Sequence, residues 1–390
     1  MKTFQIDNST RGYSIYECHG EGHEVKSVSN MARFLRPSFC FLLFCSCFLN
    51  LVLCSNLPKD HVAFFIFGDS LFDPGNNNYI NTIGQANYYP YGETFFKHPT
   101  GRFSDGRLIP DFIAKYANLP FIPPYLPPGK HELSYGVNFA SAGAGALSET
   151  AQGFVIDLKT QLIYFKDVAK SLSEKLGDEE AKALISKAVY LFHVGANDYP
   201  PNTTLFQAFT KQQYVNMVVG NLTDTIKEMY KQGGRKFGIL KLGTLGCLPS
   251  AKALIPGNTG ACFEELTDLA KLHNVVLSEA LEELENKLTG LKLAKHEFNT
   301  STTEITNNPE KYGFKEVNIG CCGSGPYNGI LSCGGKRGIK EYTLCSDPNE
   351  YWFFDSAHLT DKANGLIAKQ IWSGGHRINS PYNLKQLFEA

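Results

Sequence analysis

The chain has 390 residues, with 37 Lys and Arg against 38 Asp and Glu, and a net charge of -1. This balance excludes the basic face that nucleic-acid binding requires, so we expect no nucleic-acid partner. The sequence has no phosphate-cradling, dinucleotide-binding or zinc-protease motif, and we therefore expect neither a cofactor nor a metal.

The amino-terminal segment has the pattern of a secretory leader. Residues 1–30 form a polar, charged stretch before Met31 and are interpreted as an upstream extension. Basic residues then precede an apolar run at 39–54, which is the order found in signal peptides. This run is shorter than the roughly 20 apolar residues that a spanning helix needs. We predict a signal peptide at 31–55 that is cleaved soon after Cys54, with a retained signal anchor as the alternative.

The remainder, residues 56–390, is predicted to be a single domain of α/β class. Apolar runs typical of buried strands occur at 63–67, 189–194, 237–242 and 291–294. Long amphipathic segments separate these runs, and one over 266–288 has an apolar stripe at helical spacing. Strands that alternate with helices favour a mainly parallel sheet covered by helices on both faces.

The first predicted strand ends in a candidate nucleophile. Its apolar run stops at Gly68 and is followed by Asp69 and Ser70. Functional groups of parallel sheets lie at the carboxyl ends of the strands, where Ser70 is placed. A serine nucleophile needs a histidine base and an orienting carboxylate. Asp355 and His358 are three residues apart, a spacing that on a helical turn brings both side chains to one side.

Two further segments are candidates for binding the oxyanion of a tetrahedral intermediate, which needs well-placed hydrogen-bond donors. The predicted strand at 189–194 is followed by Gly195, Ala196, Asn197 and Asp198, so the Asn197 amide lies at the carboxyl edge of the sheet. Residues 136–145 form a second segment, rich in small residues.

These segments resemble, in order, the four motif blocks of the plant secreted branch of the GDSL esterase and lipase family. The blocks begin with Gly68-Asp69-Ser70-Leu71 and its Asn-rich tail at 75–78, and continue at 136–145, 195–198 and 355–358. The resemblance covers nearly all of the chain after the leader. It implies a three-layer α/β/α, flavodoxin-like SGNH hydrolase fold with a mainly parallel sheet.

The resemblance also implies the roles of the site residues. Ser70 would attack, His358 would transfer the proton, and Asp355 would orient the histidine. The oxyanion hole would consist of the backbone N–H groups of Ser70 and Gly143 and the side-chain amide of Asn197, with Gly145 as the alternative to Gly143. Many relatives have proline after the histidine, where this chain has a leucine, and we expect this difference to alter packing rather than chemistry.

Cysteines and sequons fit passage through the secretory route. Six of the 11 cysteines follow the predicted leader, and an even set in a secreted chain favours disulfides. Several pairings are possible. We prefer Cys247 with Cys262, which leaves the later four to staple the Gly-rich segment before Asp355. After the predicted leader, three asparagines begin glycosylation sequons: Asn202, Asn221 and Asn299.

The sequence therefore predicts a serine esterase or lipase that acts on a small-molecule or lipid ester and is secreted to the extracellular space or cell wall. An acyltransferase that uses the same acyl-enzyme and a catalytically idle secreted binding protein are the alternatives. Aromatic clusters at 88–91 and 121–125 are expected either to line an acyl cleft or to cover the rim of the core.

Overall fold

The computed structural model describes residues 61–126, 132–199, 208–257 and 259–390. The predicted signal peptide at 31–55 and the sequon at Asn202 lie outside these residues. Within the four described ranges, no helix is both long and apolar enough to cross a membrane.

Nine strands are present in the described part of the chain. They are β1 (Phe64–Gly68), β2 (Val189–His193), β3 (Lys236–Leu240), β4 (Lys292–His296), β5 (Glu316–Gly320), β6 (Cys322–Gly323), β7 (Thr343–Leu344), β8 (Tyr351–Phe353) and β9 (Asn379–Pro381). The main sheet has the order β1-β2-β3-β4-β9, and its first three pairings are parallel. The four predicted strands are confirmed, with small shifts in their bounds. The sequence did not reveal β9, which pairs antiparallel with β4, because it is short and ends in a proline.

Helices cover both faces of this sheet. Those described are α1 (Ile109–Tyr116), α2 (Leu158–Leu176), α3 (Asp178–Lys187), α4 (Lys211–Lys231), α5 (Pro249–Lys252), α6 (Glu264–Lys287), α7 (Phe298–Asn307), α8 (Asp361–Ser373) and α9 (Leu384–Glu389).

The alternation of side chains along β1 explains the three layers. Phe65 and Phe67 pack in a core cluster with residues of α2, α3, α4 and α6. Phe64 and Ile66 point to the opposite face, in a cluster with residues of α1, α7, α8 and α9. All five β1 residues are buried, and each large apolar side chain contributes about 1.5–3 kcal/mol relative to exposure. The predicted α/β/α arrangement is confirmed.

The irregular segment at 137–141 extends the sheet beyond β1 and brings the loop that follows it close to the turn after β1. Ile66 donates its N–H to the carbonyl oxygen of Val137 and accepts the N–H of Phe139, and Gly68 accepts the N–H of Ser141. These bonds place the loop that begins at Ser141 beside the turn that follows β1.

Three disulfides lie in the carboxyl-terminal half. Cys247 pairs with Cys262, as predicted. The four later cysteines form the pairs Cys321–Cys345 and Cys322–Cys333, which cross-link the segment before Asp355.

Candidate active site

The turn after β1 depends on a close approach between two strands. Gly68 has φ 149°, and a Cβ added there would lie 2.1 Å from the carbonyl oxygen of His193. Only glycine fits so near the neighbouring backbone, and the chain can then turn away at the sheet edge. Ser70 lies in this turn and is half-buried.

Ser70, His358 and Asp355 form a continuous hydrogen-bonded row. Ser70 Oγ is 2.7 Å from His358 Nε2. On the other side of the ring, His358 Nδ1 lies 2.7 and 2.9 Å from the two carboxylate oxygens of Asp355. In this arrangement Nδ1–H is held by the carboxylate, and Nε2 can accept the proton of the serine hydroxyl.

The conformation of residues 355–358 differs from the predicted helical turn. Asp355 Oδ1 accepts the backbone N–H groups of Ala357 and His358, both at 2.9 Å. The carboxylate thus organises a turn around itself, as aspartate side chains often do. Helix α8 begins later, and its N-cap is Thr360. The intervening Leu359 is buried in the core cluster that includes α8, which fits a packing role.

Gly143 and Asn197 line the same cavity as Ser70 and His358. Asn197 Nδ2 donates to the carbonyl oxygen of Ala144 at 3.0 Å, which joins the two loops. Among the described residues, the backbone N–H groups of Ser70 and Gly143 have no hydrogen-bond acceptor. They are therefore available to an oxyanion in the cavity.

Gly145 occupies a different environment. A Cβ added there would lie 2.3 Å from Asp198 Oδ1 and 2.6 Å from the Cβ of Thr150. It packs against the neighbouring loop and is not among the residues that line the cavity. The geometry favours Gly143 over Gly145 as an oxyanion donor.

Two buried aspartates that the sequence analysis did not single out fix the loop that carries Gly143. Asp73 accepts the N–H groups of Gly75 and Asn76 through Oδ1, and that of Ala142 through Oδ2 at 3.0 Å. Burial raises the pKa of Asp73 to about 6, although these N–H groups oppose the shift. At neutral pH the carboxylate is mainly ionised and a strong acceptor.

Asp198 holds the far end of the same loop. Its carboxylate accepts the N–H groups of Ala146 and Leu147 and the hydroxyl of Thr150. Burial likewise raises the pKa of Asp198 to about 6. Its neighbour in sequence is Asn197, so this anchor fixes both candidate oxyanion donors together.

Tyr91 and Arg337 lie behind Asp355 and were also missed by the sequence analysis. Tyr91 donates its hydroxyl to Asp355 Oδ2 at 2.6 Å, and Arg337 Nη1 donates to Tyr91 Oη at 2.8 Å. Burial alone would raise the pKa of Asp355. The charge and hydrogen bond of His358, followed by the charge of Arg337 and the Tyr91 hydroxyl, hold that pKa below its usual range.

The cavity in front of Ser70 has a volume of about 1020 Å³. Many of its lining side chains are apolar, including Ile83, Phe103, Phe154, Val155, Leu245, Leu248, Leu254, Leu266, Phe298 and Leu331. The aromatic clusters at 88–91 and 121–125 do not line it. Tyr91 is fully buried, and Phe121 packs at the surface against Phe95 and Phe96. These clusters therefore cover the core and its rim.

Comparison with known proteins gives the family. Residues 64–371 match the GDSL-like Lipase/Acylhydrolase family. The chain is 53% identical over 350 residues to GDSL esterase/lipase 1 of Arabidopsis thaliana, an alignment that covers 87% of this chain and 94% of that protein. It is 48% identical over 347 residues to a GDSL lipase of Tanacetum cinerariifolium, with 87% and 93% covered. GDSL esterase/lipase 7 of Arabidopsis thaliana is 34% identical over 365 residues, with 89% and 98% covered.

The chain belongs to the GDSL-like lipase/acylhydrolase family, as the motif blocks predicted. It is a carboxylic ester hydrolase. Membership in this enzyme family counts against the alternative of an idle binding protein.

Asp73→Ala tests whether the buried aspartate positions the Gly143 loop. Loss of the Ala142 contact should let the loop move, so we expect kcat on a short-chain ester to fall about tenfold or more while KM changes little. Asp73→Asn retains one acceptor oxygen and should give an intermediate kcat. A folded Asp73→Ala variant, checked by thermal melting, with the kcat of the wild type would contradict this role.

Proposed function

We propose that the protein is a secreted serine esterase that hydrolyses carboxylic esters, of lipids or of small acyl groups, through an acyl-Ser70 intermediate. The observation that carries this proposal is the 2.7 Å contact between Ser70 Oγ and His358 Nε2 at the wall of a large cavity. The carboxylate of Asp355 behind the ring gives the histidine the tautomer that a general base needs.

In the acylation half-reaction, Ser70 Oγ attacks the ester carbonyl carbon as His358 Nε2 takes the hydroxyl proton. The carbonyl oxygen gains the negative charge and accepts hydrogen bonds from the N–H groups of Ser70 and Gly143 and from Asn197 Nδ2. When the carbonyl re-forms, the bond to the leaving oxygen breaks. His358 gives that oxygen its proton, and the alcohol departs.

In the deacylation half-reaction, water takes the place of the alcohol. His358 removes a proton from the water as its oxygen attacks the acyl carbon, and the same donors stabilise the second oxyanion. Collapse of this intermediate expels Ser70 Oγ, which recovers the proton from His358, and releases the free acid. An acyltransferase would differ only in the acceptor. An acceptor alcohol would need polar groups to hold it, and the cavity lining is largely apolar. Water needs no binding site of its own and is therefore the proposed acceptor.

Secretion is the second part of the proposal. The basic-then-apolar leader supports it, as do the three disulfides, which persist in oxidising compartments. Asn221 is exposed on α4 and Asn299 is half-buried on α7, so the first of these sequons is the more accessible to a glycan. The proposed location is the extracellular space or the cell wall.

Ser70→Ala tests the nucleophile. Among the described residues, the hydroxyl forms a hydrogen bond only with His358, so its loss should leave the thermal melt nearly unchanged while kcat falls by about 10⁴-fold or more. Ser250→Ala, which removes a hydroxyl from the same cavity without touching His358, is the matched control and should retain activity. Substantial turnover by a folded Ser70→Ala variant would rule out the proposed nucleophile.

The secreted form should begin a few residues after Cys54 and carry no free thiol. Both follow from the leader and from the six cysteines paired in three disulfides. Amino-terminal sequencing and intact-mass analysis, with thiol alkylation before reduction, measure both properties on one sample. A mature chain that starts at Met1, or that has several alkylated cysteines, would refute the secretory assignment.

A further inference from the structure

We propose that Arg337 and Tyr91 are positioning residues that hold the carboxylate of Asp355 in its working orientation from the side opposite His358. This inference rests on the proposed function, because it assigns to the pair an effect on the acyl transfer that Ser70 and His358 carry out. Neither residue lines the cavity, so neither is expected to contact substrate.

The contacts leave Asp355 little freedom to rotate. Its Oδ1 accepts the two backbone N–H groups of the 355–358 turn, and both oxygens face the imidazole ring. Oδ2 accepts the Tyr91 hydroxyl, and that hydroxyl in turn accepts Nη1–H of Arg337. Arg337 Nη2 donates to the carbonyl oxygen of Gln85, which fixes the plane of the guanidinium.

The burial of Arg337 carries an energetic cost that its contacts must offset. Its relative exposure is 4%, and its Nε has no hydrogen-bond partner among the described residues. A buried charge and an unmatched donor both destabilise a fold unless they are compensated. The anion it faces is Asp355, across one tyrosine hydroxyl.

Tyr91 has the properties required of the intermediate group. Its ring packs edge-on against Phe103 and Phe354, contacts that a phenylalanine at position 91 would also make. Only the hydroxyl is specific to tyrosine. Burial, and then the charge of Asp355, raises the pKa of Tyr91 well above its ordinary value, so the hydroxyl remains a donor.

Covalent bonds fix the loop that supplies Arg337. This loop runs from Cys333 to Cys345, and the disulfide partners of these two cysteines are Cys322 and Cys321. Those partners donate their backbone N–H groups to Phe354 and Phe353, next to Asp355. The guanidinium and the carboxylate are therefore anchored to the same short stretch of backbone.

The expected effect is on the chemical step. When His358 takes the serine proton it becomes a cation, and Asp355 must then be ionised and aligned with Nδ1–H. Without the Tyr91 hydroxyl, Oδ2 loses its second partner and the carboxylate can turn away from the ring. A change that acts in this way lowers kcat and leaves KM unchanged.

The experiment compares Tyr91→Phe, Arg337→Met and the double variant, with kcat and KM measured on a short-chain chromogenic ester. The rate of inactivation by an organophosphonate gives a second measure of Ser70 reactivity. We expect kcat and the inactivation rate to fall about 10- to 100-fold in each single variant, and KM to change by no more than about twofold. A loss of this size is typical when a group that orients a metal-binding histidine through a hydrogen bond is removed. Because the hydrogen bond from Arg337 reaches Asp355 through the Tyr91 hydroxyl, the two effects should not be additive: the double variant should be slowed by less than the product of the two single effects.

The controls separate positioning from stability. Tyr190→Phe removes a buried hydroxyl that bonds to the carbonyl oxygen of Ile185, and Arg235→Met removes a guanidinium that lies over Tyr230. Tyr190 is the second residue of β2 and Arg235 directly precedes β3, at the edge of the sheet opposite the turn that carries Ser70, so these variants should lower the melting temperature without lowering kcat. Arg337→Lys, which retains the charge, should recover part of the activity lost in Arg337→Met.

Wild-type kcat in folded Tyr91→Phe would overturn the inference, and Tyr91→Phe remains a valid test if Arg337→Met fails to fold. A loss of kcat in the Tyr190 and Arg235 controls as large as in the test variants would overturn it as well. If Ser70→Ala is inactive while both test variants are fully active, only this inference fails. If Ser70→Ala is active, both this inference and the proposed function fail.

Discussion

The buried carboxylate of Asp355 is the group on which the rest of the site depends. An isolated ionised carboxylate is unstable away from water, and this one is compensated by two backbone N–H groups, the imidazole of His358, the Tyr91 hydroxyl and the charge of Arg337. The same contacts that keep it ionised also fix its direction. The histidine ring is held by this carboxylate, and the ring in turn determines where the proton of Ser70 can go.

The fold makes these contacts possible by bringing distant segments to one edge of a parallel sheet. β1 supplies the turn with Ser70, and the segment after β2 supplies Asn197. Between them, the loop with Gly143 is held at one end by Asp73 and at the other by Asp198. Buried carboxylates therefore fix the irregular backbone that carries the proposed oxyanion donors, as Asp355 fixes the histidine ring.

The sequence was most informative where local pattern and function coincide. Apolar runs identified four of the strands, and a serine, an amide and an aspartate–histidine pair at motif positions identified the residues that the structure brings together. The predicted helical turn at 355–358 was wrong because the chain turns back on itself there: Phe354 donates its N–H to the carbonyl oxygen of His358, and Phe353 and Leu359 form an antiparallel bridge. β9 was missed because three residues that end in a proline give no periodic signal.

Arg337 and Tyr91 show why other parts of the site could not be predicted. They are 246 residues apart, and their contact exists only after the disulfide-stapled loop has folded against the strand that leads to Asp355. In the sequence, an arginine in a Gly-rich segment has the appearance of a solvated charge. Nothing local distinguishes it from Arg377, which is exposed.

The most direct test of the account is to trap the acyl-enzyme. The protein would be mixed with an activated ester that acylates faster than it deacylates, quenched with acid within milliseconds, digested and examined by mass spectrometry. We predict a burst of alcohol equal to the amount of enzyme and the acyl mass on the peptide that contains Ser70. Turnover with no burst and no adduct, or an adduct on another residue, would contradict the account.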